Sequence, residues 1–501
     1  MVYFNRMKLK ISKKVILSLI KREQWGLLEI YVKILPRGTY QAVFRLMQKG
    51  YLNRSYEMIK DYIPKAHEID LKSKIESMME IKDNGLKIEK VLKKPIKDIS
   101  VLFTVHNSLP YDKTGYALRT QLIASTLKKY NIDLTIATRP GYPWDLQKHR
   151  ELTSREQKDD INGLIYERLA DDTKEFKKGP DSNYIGVYAD AIEKQVKQNN
   201  ISIIHAHSNY LNALSAIKAA NKLKIPSVYE LRGLWHKTRV TLDANYKHSG
   251  MYEYEEIMEK TAVDAADAVV TISEALKDLI ISWGIDSSKV YIIPNAVDTR
   301  YFSPTIKNEQ LFDKYDLVGK TVIGFIGTLS AYEGLKELIQ AVDELIDKGL
   351  NLVLMIVGDG REKDNLENLA KSKHIIFTGR VPFEEVKEYY TLFDICPFPR
   401  NNVEICRYVP PLKILEAMAM QKAVIISNIA PLIEIIDDGM NGFICNADDV
   451  ESLKTKIVKL YYNDTLCDKF GENARSWVEK NRSIDSMGMK YKALYKSFQD
   501  S

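Results

Sequence analysis

Cysteine is nearly absent from this chain of 501 residues. The four present, Cys396, Cys406, Cys445 and Cys467, all fall in the last quarter, and none forms a Cys-x-x-Cys pair. That spacing argues against a zinc site and a disulfide framework, and it fits a reducing, cytoplasmic setting. Long apolar runs are also missing. No stretch reaches the roughly 18–20 residues needed to span a bilayer. Val15–Ile20 is short, is flanked by Lys13, Lys14, Lys21 and Arg22, and lacks a small-residue cleavage site, so no secretory leader is expected. No internal repeat is firm enough for a solenoid. What remains is an ordinary globular composition, 45% hydrophobic and 28% charged. The chain is too long for one core, so two or three domains are expected.

Charge is unevenly placed. Residues 1–100 hold 22 Lys and Arg against 11 Asp and Glu, a balance of +11, which leaves −5 for the rest of a total of +6. A basic end on a slightly acidic body suggests an anionic partner or surface, with a solvated helical appendage as the plain alternative. Residues 1 to about 95 read as helices, with apolar residues three and four apart in Trp25–Ile34 and Ile59–Met79.

From Ile99 short apolar runs alternate with helical patterns. The expected strands are Ile99–Val105, Leu134–Thr138, Ile203–His207, Ser227–Leu231 and Ala268–Ile272. A second series follows at Val322–Ile326, Leu352–Val357, Ile375–Thr378, Asp394–Pro397 and Ala423–Ser427. Alternation of this kind builds parallel sheets covered by helices. Two series predict an α/β protein of two doubly wound, Rossmann-like domains, jointed near Pro294–Pro304. The expected division is a basic helical extension over 1–95, domains over 96–298 and 299–480, and a C-terminal helix over 481–501 packing back on the first domain. Ligands of open parallel sheets bind beyond the carboxyl ends of the strands, so two facing sheets would line a cleft.

The motifs fall just after the expected strands. Gly115, in His106–Tyr116, stands at a strand-to-helix turn where backbone N–H groups can approach a phosphate, or is a plain loop glycine. His205 and His207 alternate along one strand and point to one side. Each is either a ligand to a hydroxyl or a satisfied structural histidine, and no further residue is placed to complete a metal site. Glu230 and Arg232 end the next strand. Arg232 can bind phosphate or an anionic acceptor, or the two form an internal ion pair. Gly327, Thr328 and Leu329 repeat the glycine turn in the second series. In Pro410–Met420 a proline opens a helix, and Lys413 and Glu416 share one face. The helix N-terminus with Lys413 suits a diphosphate, and Glu416 can accept from a ribose diol; an intrahelical Lys–Glu pair is the alternative.

Leu415–Ala419, Gly358-Asp359-Gly360, Phe377-Thr378-Gly379-Arg380 and Pro294–Asp298 resemble the retaining GT-B glycosyltransferases of the glycogen-synthase and mannosyltransferase type, over roughly residues 98–498. Thr138–Trp144 and Tyr332–Leu335 resemble a bacterial branch linked to exopolysaccharide and surface-glycan synthesis. The resemblance implies that Glu416 holds the donor ribose, that Gly115 faces the diphosphate and donor sugar, and that His207 lies near the reacting sugar. It implies that the backbone of Arg380 and Val381 meets the base. Gly327, Thr328, Leu412 and Lys413 complete the expected donor site, and Glu230 and Arg232 the acceptor side. The implied partners are a nucleotide diphosphate sugar as substrate and a glycan, lipid-linked or protein acceptor. An anionic membrane surface is a possible partner of residues 1–95. Neither a cofactor, a metal nor nucleic acid is expected, and no DxD motif is suitably placed.

The departures are specific. Tyr408 stands where the family has a first glutamate. Thr328 and Glu333 stand where it has an Arg and a Lys that neutralise the diphosphate. Lys413, Arg400 or Arg407 are the nearest substitutes, and Lys413 and Arg400 are expected to serve. Rival readings are a nucleotide-sugar 2-epimerase of the same fold and a catalytically weak nucleotide-sugar-binding scaffold.

Overall fold

The computed structural model describes residues 15–25, 27–28, 38–64, 69–146, 149, 156–169 and 179–499. All ten expected strands are present, with every end within one residue of its expected place. By packing the chain forms two compact units, residues 1–112, 133–269 and 499–501 in one and 113–132 with 270–498 in the other.

The first unit holds β1 (Ser100–Val105), β2 (Asp133–Thr138), β3 (Lys158–Ile161), β4 (Leu164–Arg168), β5 (Ile203–His207), β6 (Ser227–Leu231) and the first half of β7 (Ala268–Thr271). They lie in the order β3-β4-β2-β1-β5-β6-β7. From β4 to β6 the pairs are parallel, and β3 runs antiparallel to β4. The strands β1, β5 and β6 are buried at every residue, as sheets covered on both faces require.

The N-terminal segment is helical at residues 15–21, Gly38–Gln48, Leu52–Ile59 and Ile69–Asn84. Ile16, Ile20, Leu28, Ala42 and Leu46 form a small core of their own. The apolar period through Ile59–Met79 does not give one helix. It breaks after Ile59, ahead of Pro64, whose ring cannot continue the turn. Most of Trp25–Ile34 lies outside the described residues. The Ile69–Asn84 helix packs on the Gly250–Ala265 helix. Four lysines from this stretch meet acids of the same unit. Lys74 is 2.6 Å from Asp181, Lys90 3.0 Å from Asp264, Lys82 3.8 Å from Glu253 and Lys93 3.8 Å from Asp267. Part of the basic excess is thus answered by the acidic body.

The second unit carries β8 (Val290–Ile292), β9 (Thr321–Ile326), β10 (Leu352–Val357), β11 (Ile375–Gly379), β12 (Ile395–Phe398), β13 (Ala423–Ser427) and β14 (Phe443–Cys445). Its six-stranded sheet runs β11-β10-β9-β12-β13-β14, parallel throughout. The expected joint at 294–304 lies inside this unit, and the Gly115–Lys129 helix belongs to it by packing. Arg119 of that helix shows why. Only 4% exposed, it donates to the carbonyls of Ile293 and Pro294 at 2.9 and 3.1 Å and to Asn295 Oδ1 at 3.0 Å. Its guanidinium also reaches the Tyr491 hydroxyl of the Ile484–Lys496 helix at 3.2 Å. Among the described residues no helix is long and apolar enough to cross a membrane.

Candidate active site

In the second unit the site is built at the carboxyl ends of β9, β10, β11 and β12, where a parallel sheet offers its crevice. Gly327 follows β9 and Gly358 follows β10. A Cβ on Gly358 would sit 1.9 Å from the Gly327 carbonyl oxygen, so two turns touch backbone to backbone and exclude a side chain. A Cβ on Gly327 would lie 3.0 Å from Lys413 Nζ, which places the ammonium against the glycine turn. The helix carrying Lys413 and Glu416 spans Lys413–Ala419. It therefore starts two residues after Pro411, and the expected opening proline is not its first residue.

Lys413 does not pair along its helix. Its Nζ is 2.8 Å from Glu333 Oε2 and 4.2 Å from the centre of the Phe325 ring. Arg400 Nε lies 3.5 Å from the same oxygen, and Arg400 Nη1 donates to the Val409 carbonyl at 2.8 Å. Two cations thus share one buried carboxylate and leave one positive charge. Burial alone would raise the Glu333 pKa, but Lys413 and Arg400 outweigh it and hold it below the usual range. Burial lowers the pKa of Lys413, and Glu333 opposes that shift. Glu416 accepts from the Tyr390 hydroxyl at 3.2 Å. Burial pushes the Glu416 carboxyl up to about 7, against the pull of Tyr390 and Lys413.

The remaining donor-side residues differ in exposure. Thr328 and Arg380 are exposed, while Val381 and Leu412 are half-buried. Gly115 opens the Gly115–Lys129 helix, is exposed, and has open space where a Cβ would stand. Neither backbone conformation nor packing demands glycine there. Arg407 turns to Asn402 and Glu404. Tyr408 accepts at its carbonyl from Ser273 Oγ at 2.7 Å.

In the first unit the β5–β6 register sets His207 beside Glu230. Glu230 Oε2 is 3.3 Å from His205 Nε2 and 3.7 Å from His207 Nδ1. Arg232 Nε donates to Glu230 Oε1 at 2.7 Å, and its Nη2 meets His207 Nδ1. The internal Glu–Arg pair is therefore formed. Sequence reading placed no third ligand beside the histidines, and this register supplies one. The donor atoms of His205, His207 and Glu230 lie within 4.8 Å of one another, a spacing a metal ion could use. Nearby, Trp235 packs edge-on to His106 at 4.9 Å and keeps 39% of its surface exposed.

Residues 307–477 match the family described as Glycosyl transferases group 1, and residues 127–301 match Glycosyltransferase Family 4. Together the matches take in well over half of the chain. This chain belongs to the group 1, family 4-like glycosyltransferases of the GT-B fold. One similar relative is an uncharacterized glycosyltransferase of Methanocaldococcus jannaschii, 27% identical over 51% of this chain and 65% of its own. Another is the capsular polysaccharide biosynthesis glycosyltransferase CapM of Staphylococcus aureus, 26% identical over 54% of this chain and 70% of its own. The chain thus spans about two thirds of the length of these relatives. The fold is shared with sucrose-phosphate synthase from Thermosynechococcus elongatus at TM-score 0.64 and 14% identity, covering 80% of this chain and 100% of that one. Anabaena Alr3699/HepE, solved in complex with UDP, superposes at TM-score 0.61 and 16% identity over 80% of this chain and 100% of that one.

Within this glycosyltransferase family the chain's departures acquire a physical sense. Glu333, read from sequence as a lost cation, is the shared partner of Lys413 and Arg400. Sequence reasoning missed that role, as well as Tyr390 beside Glu416. Eighty residues separate Glu333 from Lys413, and only the fold joins them. The acid at 333, standing where the family has a cation, was the available signal.

Proposed function

We propose that this chain is a retaining, metal-independent glycosyltransferase. It moves a hexose-type sugar from a nucleoside diphosphate sugar to a glycan, lipid-linked or protein acceptor in bacterial cell-surface polysaccharide synthesis. The observation that carries the reading is the Lys413, Arg400, Glu333 and Glu416 group against the Gly327 turn. The surplus positive charge of Lys413 and Arg400 faces the diphosphate as the anomeric bond breaks, where charge stabilisation counts most. Glu416 accepts from the ribose diol, and the Arg380–Val381 backbone meets the base. Gly115, with no side chain and open space, admits the diphosphate and donor sugar. His207 meets a hydroxyl of the reacting sugar, and Glu230 and Arg232 stand on the acceptor side. The acceptor hydroxyl oxygen bonds to the anomeric carbon on the face the diphosphate leaves, and its proton passes to the departing phosphate oxygen. No carboxylate pair flanking the bond is needed, unlike in most glycosidases.

Support for the donor class comes from the UDP complex of Alr3699/HepE, and for the pathway from the capsular role in the name of CapM. Relatives named as glycosyltransferases favour transfer over the 2-epimerase alternative. The Glu333 pairing favours one second reading, a nucleotide-sugar binder with weak turnover, because it halves the charge available to the diphosphate. Residues 1–95 serve as a peripheral membrane contact. Exposed Lys21, Arg22 and Lys49 accompany exposed Leu17, Leu27 and Phe44 in this segment. A panel of nucleotide sugars tests the donor reading by thermal shift. One sugar nucleotide should raise the melting temperature of wild type and not of Glu416→Ala; no shift from any of them would reject it.

A further inference from the structure

His205, His207 and Glu230 are fully buried and Arg232 nearly so, at the carboxyl ends of β5 and β6. Each carries a fixed hydrogen-bonding character. An ionised carboxylate only accepts, a guanidinium only donates, and a neutral imidazole does one at each nitrogen. Arg232 spends Nε on Glu230 Oε1 at 2.7 Å and sets Nη2 against His207 Nδ1. A donor-only group against Nδ1 requires a lone pair there. The carboxylate does not compete for a proton at that nitrogen, since Oε2 is 3.7 Å away, beyond hydrogen-bond reach. The hydrogen of a neutral His207 ring is then on Nε2. A protonated ring would set an N–H and a positive charge against the guanidinium inside the protein, where such opposition is costly.

The ring is also held against rotation. His205 stacks on it with centroids 4.4 Å apart and planes 19° apart, and Phe103 meets it edge-on at 4.4 Å. The same guanidinium stands at Glu230 and at His207, two of the three residues a metal ion could use. It supplies the positive charge that the buried carboxylate needs, and it does so from within the chain.

We propose that Arg232, anchored by Glu230, is a positioning residue that locks His207 as a neutral imidazole protonated at Nε2. His207 then acts on its ligand as a hydrogen-bond donor and not as a base. The ligand class is a neutral hydroxyl or ring oxygen of a sugar, and this part rests on the sugar-transfer reading above.

The test is histidine-selective ¹⁵N NMR of the full chain at neutral pH, with the His207 signals assigned by their loss in His207→Gln. Wild type should show an unprotonated Nδ1 and a protonated Nε2. Arg232→Met should shift the Nδ1 signal toward the protonated region. A protonated Nδ1 or an imidazolium in wild type would overturn the proposal, and so would a His207 spectrum unchanged in Arg232→Met. Stoichiometric zinc in wild type purified without chelator, measured by mass spectrometry, would also overturn it. If Arg232→Met does not fold, the wild-type spectrum alone decides. None of these readouts needs a substrate, so failure of the lock is separable from failure of the sugar-transfer reading. In turnover, His207→Gln, which keeps an amide donor near the Nε2 position, should retain at least tenfold more activity than His207→Asn, and equal losses would contradict the donor role.

Discussion

Removing the carboxylate of Glu333 strands two cations. Lys413 Nζ and Arg400 Nε lie 2.8 and 3.5 Å from Glu333 Oε2. Glu333 is 5% exposed and Arg400 4%. Breaking a buried pair by deleting one partner costs about 3–5 kcal/mol, because the remaining charge stays buried without a counter-ion. For a unit of this size each kcal/mol is worth roughly 2–4 °C, so Glu333→Ala should lower the melting temperature by roughly 6–20 °C. Urea unfolding of wild type, Glu333→Ala, Lys413→Met and the double variant gives the coupling. The double variant should be less destabilised than the sum of the singles by about 1 kcal/mol or more. The contribution also has a pH signature. Glu333 is held below its ordinary value by Lys413 and Arg400, so its stabilisation is complete above about pH 4.5 and fades as pH falls through its folded pKa. A loss under about 1 kcal/mol in Glu333→Ala, or strictly additive singles, would refute the shared-carboxylate account.

Further expectations concern the donor and the N-terminal segment. With its carboxyl raised to about 7, Glu416 favours the folded chain below its ordinary 4.5 and loses that contribution as pH climbs through 7. Donor affinity should rise over the same interval as Glu416 ionises. Glu416→Gln should flatten the profile and weaken binding by about 2–4 kcal/mol in calorimetry, whereas an unchanged affinity would remove Glu416 from the ribose. Turnover should survive EDTA, and complete loss restored by Mn²⁺ or Mg²⁺ would show that the cations at 413 and 400 do not suffice. Deleting residues 1–95 should abolish sedimentation with anionic liposomes at low salt. Equal sedimentation of both forms would leave a protein partner or a structural appendage as the role of the extension.

The sheets were legible because buried parallel strands are short apolar runs, and β5, β6, β10 and β13 begin and end where the residues imply. The β3–β4 hairpin was not, since Lys158, Asp159 and Asp160 hide its first strand behind charge. The strands β8 and β14 have three residues each, too few to show a period. Motif positions survived better than motif contacts. Lys413 and Glu416 were read as donor-site residues, with an intrahelical pair as the alternative; the fold gives Lys413 the Glu333 carboxylate and Glu416 the Tyr390 hydroxyl as partners. Glu230 became a neighbour of both histidines through strand register, which spacings of 25 and 23 residues do not reveal. Arg119 was not singled out in the sequence, and its burial against 293–295 follows only from the packing of its helix in the second unit.

The central claim is that sugar leaves a nucleoside diphosphate at the Lys413 and Arg400 group and arrives on an acceptor. Purified chain is incubated with isotopically labelled nucleotide sugar and a membrane glycan extract, and both nucleotide and label are followed by mass spectrometry. The account predicts that label appears on an acceptor with one nucleoside diphosphate released per transfer, and that Lys413→Ala slows this by roughly a hundredfold. Donor turnover without any acceptor, or tight nucleotide binding with no sugar released, would contradict it.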